Sequence, residues 1–182
     1  MTVSEYIWEA LADIGVTHCF YLAGGGSMHL IDALSRQDRI TPVAMPHEQG
    51  CAIASDGFNQ YHNGLKSVVC VTSGPGGTNT ITGVVASWID SIPLLVISGQ
   101  VPTNMMMSYG SMMEPQGTER QRGPQEVAIT SIVRPITKHA SVVGLSVKPK
   151  VSFEEAVAKA LEHPRGPVWL DIPLDVQGAR CE

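Results

Sequence analysis

This sequence predicts an α/β fold: a doubly wound parallel sheet of about six strands with helices on both faces. Three observations carry that expectation. Short apolar runs alternate with segments of helical period along most of the chain. The run over 93–98 is apolar without interruption, as in strands buried on both faces of a parallel sheet. Finally, the runs over 19–22 and 67–71 each lead into a glycine-rich turn and then a helix-like segment, the layout of a ligand-facing corner in an open α/β sheet.

In chain order, Thr2-Val3-Ser4-Glu5 is a capping box, and Ile7, Ala10, Leu11 and Ile14 follow at helical spacing until Gly15 ends the helix. Residues 19–22 read as a short buried strand ending in Ala23-Gly24-Gly25-Gly26. Ser27 then opens a helix with Met28, Ile31 and Leu34 facing inward, and His29 on it reads as a surface or packing residue rather than a ligand. Residues 40–45 form the next strand, ended by Pro46, and the helix opening at Glu48 extends to Tyr61. Asn63-Gly64 turns the chain into a strand over 67–71. A helix carrying Ile81, Val84, Val85 and Trp88 follows the glycine-rich turn, and 93–98 returns to the sheet. Residues 139–143 make a weaker strand, Ser152-Phe153-Glu154-Glu155 is a second capping box opening a helix through Leu161, and 168–172 is the last strand. Between Gly99 and Arg122 the periodicity fails. Met105, Met106, Met107, Met112 and Met113 crowd that stretch, which reads either as a surface loop or as one that covers a ligand or seats a partner.

At 182 residues the chain is long enough for one well-buried domain and short for two, so 1–182 is expected to be one domain. A net charge of -5 with no Lys/Arg cluster argues against nucleic acid as a partner. No apolar run reaches spanning length, and no basic-then-apolar leader opens the chain, so no membrane association is expected. Cys19, Cys51, Cys70 and Cys181 are scattered without a C-x-x-C pair, as free thiols of a cytoplasmic protein would be.

Two motifs concentrate the chemistry. His47-Glu48-Gln49-Gly50 puts a carboxylate at the start of a helix rich in small residues, so a neighbour must approach it closely. The macrodipole stabilises such a carboxylate with or without a catalytic duty. Thr72-Ser73-Gly74-Pro75-Gly76-Gly77-Thr78-Asn79 lies between a strand and a helix, where a phosphate is often cradled. It lacks the Gly-Lys-Ser/Thr ending of a P-loop, and Pro75 and Thr78 break a G-x-G-x-x-G fingerprint.

With these motifs in order, the chain resembles the pyrimidine-binding domain of thiamine-diphosphate-dependent enzymes, in the acetolactate synthase and pyruvate oxidase branch. The resemblance rests on Phe20-Tyr21-Leu22-Ala23-Gly24-Gly25-Gly26-Ser27-Met28, His47-Glu48-Gln49-Gly50, Asp56-Gly57-Phe58, the Thr72 to Asn79 turn, and residues 93–102. It continues through Gln125-Glu126, Ser131-Ile132-Val133-Arg134-Pro135 with Lys138-His139, and Gly166-Pro167-Val168-Trp169-Leu170-Asp171-Ile172-Pro173. It implies that Glu48 hydrogen-bonds a ring nitrogen of the aminopyrimidine and favours the imino tautomer that removes the thiazolium C2 proton. Pro75, Asn79, Gly25 and Gly26 then fall among the cofactor-binding residues, and Gln125 reaches toward a 2-keto acid substrate. Leu22 and Ala23 replace the usual Tyr-Pro, Pro124 replaces an aromatic residue before the glutamine, and the Met-rich stretch looks like an insertion; all three departures fall where the family shapes its pocket.

The family binds the diphosphate and Mg²⁺ through Gly-Asp-Gly and Asn-Asn in a second domain, and neither motif occurs in this sequence. The resemblance therefore implies no metal ligands on this chain and a separate diphosphate-binding chain, in an α2β2 enzyme that decarboxylates or joins 2-keto acids. A decarboxylase subunit of the sulfopyruvate or phosphonopyruvate type is the second reading. A phosphate- or nucleotide-binding module, or a non-catalytic partner, is the third.

Overall fold

The apolar runs pair side by side in the computed structural model, which describes residues 1–107, 120–144 and 147–181. Among the described residues six parallel strands form one sheet in the order β2-β1-β3-β4-β6-β5. They are β1 (His18–Tyr21), β2 (Thr41–Ala44), β3 (Ser67–Val71), β4 (Leu94–Gln100), β5 (His139–Val142) and β6 (Pro167–Pro173). Every residue of β3, β4 and β6 is buried, which explains why these strands read as continuous apolar runs.

Side chains alternate between the two faces of the sheet, and two clusters of buried residues follow. On one face Cys19, Val68, Cys70, Leu95, Ile97, Val168 and Leu170 meet helices α1 (Val3–Asp13), α2 (Met28–Ser35) and α7 (Pro149–Leu161). On the other, Phe20, Val69, Val71, Val96 and Trp169 meet α3 (Glu48–Tyr61), α5 (Ile81–Asp90) and α6 (Ile129–Val133). The sheet is thus covered on both sides, as expected from the sequence. Within the glycine-rich turn between β3 and α5 lies a short helix, α4 (Pro75–Thr78), and α8 (Leu174–Gly178) follows β6.

Several local expectations need correction. Ser152 does not cap a helix: α7 starts one turn earlier at Pro149, whose fixed φ suits the first helical position, with Lys148 as the N-cap. Met28 does not face inward; it is 49% exposed, and Leu30, Ala33 and Leu34 form the buried stripe of α2. A 3-10 turn over Gly25–Ser27 leads into α2, and Ser27 makes no side-chain cap. The close neighbour of the small-residue helix α3 proves to be α5 of the same chain. A Cβ on Gly83 would come within 2.5 Å of the Ala52 Cβ.

Two buried polar clusters pair their groups across elements of the fold. Asn59, fully buried near the end of α3, donates to the carbonyls of Ser67 (3.0 Å) and Pro93 (2.9 Å) and accepts from the amides of Lys66 and Ser67. It ties α3 to the entrances of β3 and β4. Between β4 and β6, Asp171 accepts from Ser98 Oγ at 2.6 Å and Gln100 Nε2 at 2.8 Å, while Trp169 Nε1 donates to the same Ser98 oxygen at 2.8 Å. Burial raises the Asp171 pKa from the ordinary 3.8 to about 7, and the two hydrogen bonds pull it partway down.

That shift fixes the sign of a pH dependence. A neutral Asp171 contributes stability that is fully present below its ordinary value of 3.8 and is lost as pH rises through about 7. Urea midpoints of the wild-type chain should therefore fall, relative to those of Asp171→Asn, between about pH 4 and about pH 8. Parallel profiles for the two proteins would remove Asp171 as the source.

Candidate functional site

The C-terminal ends of β1, β2, β3 and β4 carry the motif residues. Strand order reverses between β1 and β3, because the chain leaves β1 toward β2 on one side and continues through β3 to β4 on the other. Ligands of open α/β sheets bind at such a switch point, in the crevice beyond the strand ends.

The turn after β1 is seated against the turn after β3. The Gly26 amide donates to Thr72 Oγ1 at 3.1 Å, and a Cβ on Gly24 would lie within 2.5 Å of the Thr72 side chain. Gly99 of β4 lies beneath, where an added Cβ would sit only 2.0 Å from the Gly26 carbonyl oxygen. Gln177 of α8 closes the other side by donating to that carbonyl at 2.7 Å. Gly25 differs from its neighbours: nothing lies within 4 Å of the position its Cβ would take. It borders an open groove of about 500 Å³ lined also by Ala23, Gly24, Met28, Ile31, Asp32 and Ser35.

Glu48 is the first residue of α3 and is half-buried. Asn79, just past α4, donates from Nδ2 to Glu48 Oε2 at 2.7 Å and is also 3.2 Å from His47 Nε2. No donor among the described residues is paired with Oε1. That oxygen faces Gly76, whose missing Cβ would stand 3.6 Å from it. The carboxylate is therefore held on one side and open on the other. Its charge is felt one turn on: burial, then Glu48, push the Cys51 thiol up to about 11, which favours the protonated thiol.

Gln125 reaches the same turn from a different part of the chain. Its backbone is left-handed (φ 61°), and Gly74, also left-handed (φ 59°), packs on it so closely that a Cβ there would lie 2.3 Å from the Gln125 carbonyl oxygen. The next residue, Glu126, is buried, and its carboxylate accepts from the amides of Met107 (2.5 Å), Arg122 (2.8 Å) and Gly123 (3.1 Å). Gln100 Nε2, already bonded to Asp171, also donates to the Val127 carbonyl at 3.0 Å.

Five of the six residues singled out from the sequence thus gather on one segment. Glu48, Pro75 and Asn79 meet directly around α4, Gln125 packs on Gly74, and Gly26 leans on the segment through Thr72 and Ser73, whereas Gly25 faces the open groove. The Gln125 side chain is exposed. Sequence reasoning passed over Glu126 and Gln177, whose work is to hold backbone rather than ligand; a carboxylate or amide that bonds only main chain leaves no motif. Of the Met-rich stretch, Met106 is buried and Met105 is 39% exposed, whereas Met112 and Met113 lie outside the described residues.

Residues 1–132 match the family described as thiamine pyrophosphate enzyme, N-terminal TPP binding domain. Similar proteins include the acetolactate synthase large subunit of Buchnera aphidicola subsp. Acyrthosiphon pisum, 34% identical over 95% of this chain and 28% of its own length. Acetolactate synthase 2, chloroplastic, of Nicotiana tabacum is 38% identical over 96% of this chain and 24% of its own length. The acetolactate synthase isozyme 3 large subunit of Escherichia coli is 35% identical over 95% and 28%. The chain thus spans about a quarter of the length of the curated relatives it matches.

The backbone at Gln125 separates strain from function. A non-glycine residue held at positive φ costs on the order of 1 kcal/mol, so Gln125→Gly should leave stability unchanged or raise it by up to about 1 kcal/mol. Glu126→Gln should instead lose about 1.5–3 kcal/mol, since one amide oxygen cannot serve three N–H groups once met by a carboxylate. Urea denaturation measures both, and hydrogen exchange at Met107, Arg122 and Gly123 should quicken only in the second variant. A clearly destabilised Gln125→Gly would contradict the strain assignment.

Proposed function

The chain belongs to the thiamine pyrophosphate enzyme family, as its N-terminal TPP-binding domain, and from that premise we propose that it supplies the pyrimidine half of an acetolactate synthase-like active site. In this reading residues 1–182 are one pyrimidine-binding domain, and the reaction is decarboxylation of a 2-keto acid with or without joining of a second one. The single observation that carries it is the state of the Glu48 carboxylate: fixed at Oε2 by Asn79, open at Oε1 toward a bare glycine, and half-buried at a helix start.

These residues fit an aminopyrimidine. Oε1, which no donor among the described residues occupies, can share a proton with a ring nitrogen, and no side chain at Gly76 stands against it. Thiamine diphosphate, when bound, supplies the electron sink that 2-keto acid chemistry needs. The chain's own part is to place and tune. Asn79 fixes the carboxylate plane, partial burial limits competition from water for the shared proton, and Gln125 on the rim orients the keto acid. Pro75 sets the short helix that brings Asn79 to Glu48, and Gly25 and Gly26 leave the neighbouring turn without side chains on the cofactor side.

The same residues do not fit a divalent cation. Among the described residues no three His, Cys, Asp or Glu side chains gather as metal ligands. We place the diphosphate and Mg²⁺ sites on a separate diphosphate-binding chain, in an α2β2 assembly. This is supported by the exposed apolar side chains of Ile53 on α3 and Trp88 and Ile89 on α5, a face that a second surface would cover. No helix among the described residues is long and apolar enough to cross a membrane. We place the enzyme in the cytoplasm.

Two measurements test the reading. Glu48→Gln in the reconstituted enzyme should fold normally yet lose about 10²- to 10⁴-fold in turnover, the size of a lost acid–base group. Cofactor C2-proton exchange, followed by NMR, should slow in step; an unchanged exchange rate takes Glu48 out of the mechanism. In calorimetry the chain alone should bind thiamine diphosphate weakly or not at all with Mg²⁺ present. Tight, Mg²⁺-dependent binding by the chain alone would disprove the divided site.

A further inference from the structure

His47 begins the motif that Glu48 dominates, and nothing so far gives it a task. It is the N-cap residue of α3, with extended backbone (φ -157°, ψ 136°) and no side-chain cap hydrogen bond. A Ser, Thr, Asp or Asn there would tie down one of the helix's unpaired amides, and histidine forgoes that. Its imidazole turns instead to the side chain of Asn79, Nε2 lying 3.2 Å from Nδ2.

Asn79 is the only group among the described residues that holds the Glu48 carboxylate, and that contact settles more than itself. Nδ2 is 2.7 Å from Glu48 Oε2. A carboxylate only accepts, so the Asn79 amide cannot be flipped: its NH₂ must face Glu48. The other hydrogen of the same NH₂ then points to His47 Nε2, which must accept it. An imidazole that accepts at Nε2 carries its proton on Nδ1, and a doubly protonated ring has no lone pair to offer.

We propose that His47 is a positioning residue: a neutral, Nδ1-protonated imidazole whose Nε2 lone pair holds the Asn79 amide on the Glu48 carboxylate. The chain Glu48–Asn79–His47 then runs acceptor, double donor, acceptor through Oε2, Nδ2 and Nε2, an order that an amide flip or a tautomer exchange would break. The backbone supports it, because the Asn79 amide donates to the Pro75 carbonyl at 3.0 Å and so fixes where the side chain starts. Two anchors on one NH₂ restrict its rotation, keeping Glu48 Oε2 occupied and leaving Oε1 as the oxygen that exchanges a proton. This functional weight rests on the reading of Glu48 proposed above, whereas the tautomer does not.

The test is therefore made on the chain without cofactor or partner. Long-range ¹H–¹⁵N spectra of the ¹⁵N-labelled chain, taken where the ring is neutral, should show His47 as the Nδ1–H tautomer. An Nε2–H tautomer overturns the proposal, as does an Nδ1–H signature that persists unchanged in Asn79→Ala. His47→Ala should speed hydrogen exchange of the Asn79 side-chain amide by about 2- to 10-fold, the size of one neutral hydrogen bond, and His47→Gln should restore it through its carbonyl oxygen. An exchange rate indifferent to His47→Ala also overturns the assignment. Because none of these signals depends on turnover, a failed tautomer test and a failed Glu48→Gln test point to different errors.

Discussion

The close approach of backbone to backbone at the turn after β3 is the constraint on which the rest of the site depends. Gly74 must be left-handed for the chain to leave β3 and enter α4 at once, and the Gln125 carbonyl occupies the space a Cβ would need. Two residues on, Gly76 leaves the Glu48 carboxylate uncovered. A side chain at Gly74 would push the Gln125 segment away; one at Gly76 would collide with Thr72, which holds the Gly26 amide. One short segment thus sets the distances among three other parts of the chain.

Three carboxyl groups near the strand ends show how environment divides their labour. Asp171 lies wholly within the sheet, where burial outweighs two hydrogen bonds and favours the neutral acid. Glu126 is also buried, yet three backbone amides surround it, the arrangement that suits a charged acceptor and braces the segment beside Gln125. Glu48 is held on one oxygen only and is half-buried. Of the three it alone combines an anchored side with one that no donor among the described residues occupies, the state on which the proposed proton exchange rests.

The fold was legible because its signals are local and repeated. Uniform burial of β3, β4 and β6 writes itself as largely apolar runs, and the capping box at Thr2 and Glu5 forms as read, Thr2 Oγ1 accepting from the Glu5 amide at 3.2 Å. The second box failed because Pro149 offers the helix an earlier start, and capping letters inside a helix carry no weight of their own. Met28 misled because its apolar side chain sits at the rim of the open groove rather than under the sheet. At the site, Glu48, Asn79 and the glycines announce themselves by residue type in unusual places. Gln125 is different: 46 residues separate it from Asn79, and only the fold brings it onto Gly74. Glu126 and Gln177 are less visible still, since main-chain partners impose no spacing on the sequence.

The small residues of α3 bear on how rigidly this chain alone holds Glu48. Gly83 of α5 packs onto Ala52, and Ser87 Oγ donates to Asp56 at 2.6 Å, so the two helices following β2 and β3 are locked to each other within this chain. At the far end Asn59 pins α3 to the entrances of β3 and β4. Glu48, at the near end of that helix, is therefore positioned before any partner or cofactor arrives, and little ordering cost remains to be met on binding. What the chain leaves uncommitted is the outward face of the same two helices, with Ile53, Trp88 and Ile89 exposed, together with one oxygen of Glu48. Rigidity toward the sheet with openness away from it lets a second surface complete the pocket without rearranging the carboxylate that would act in it.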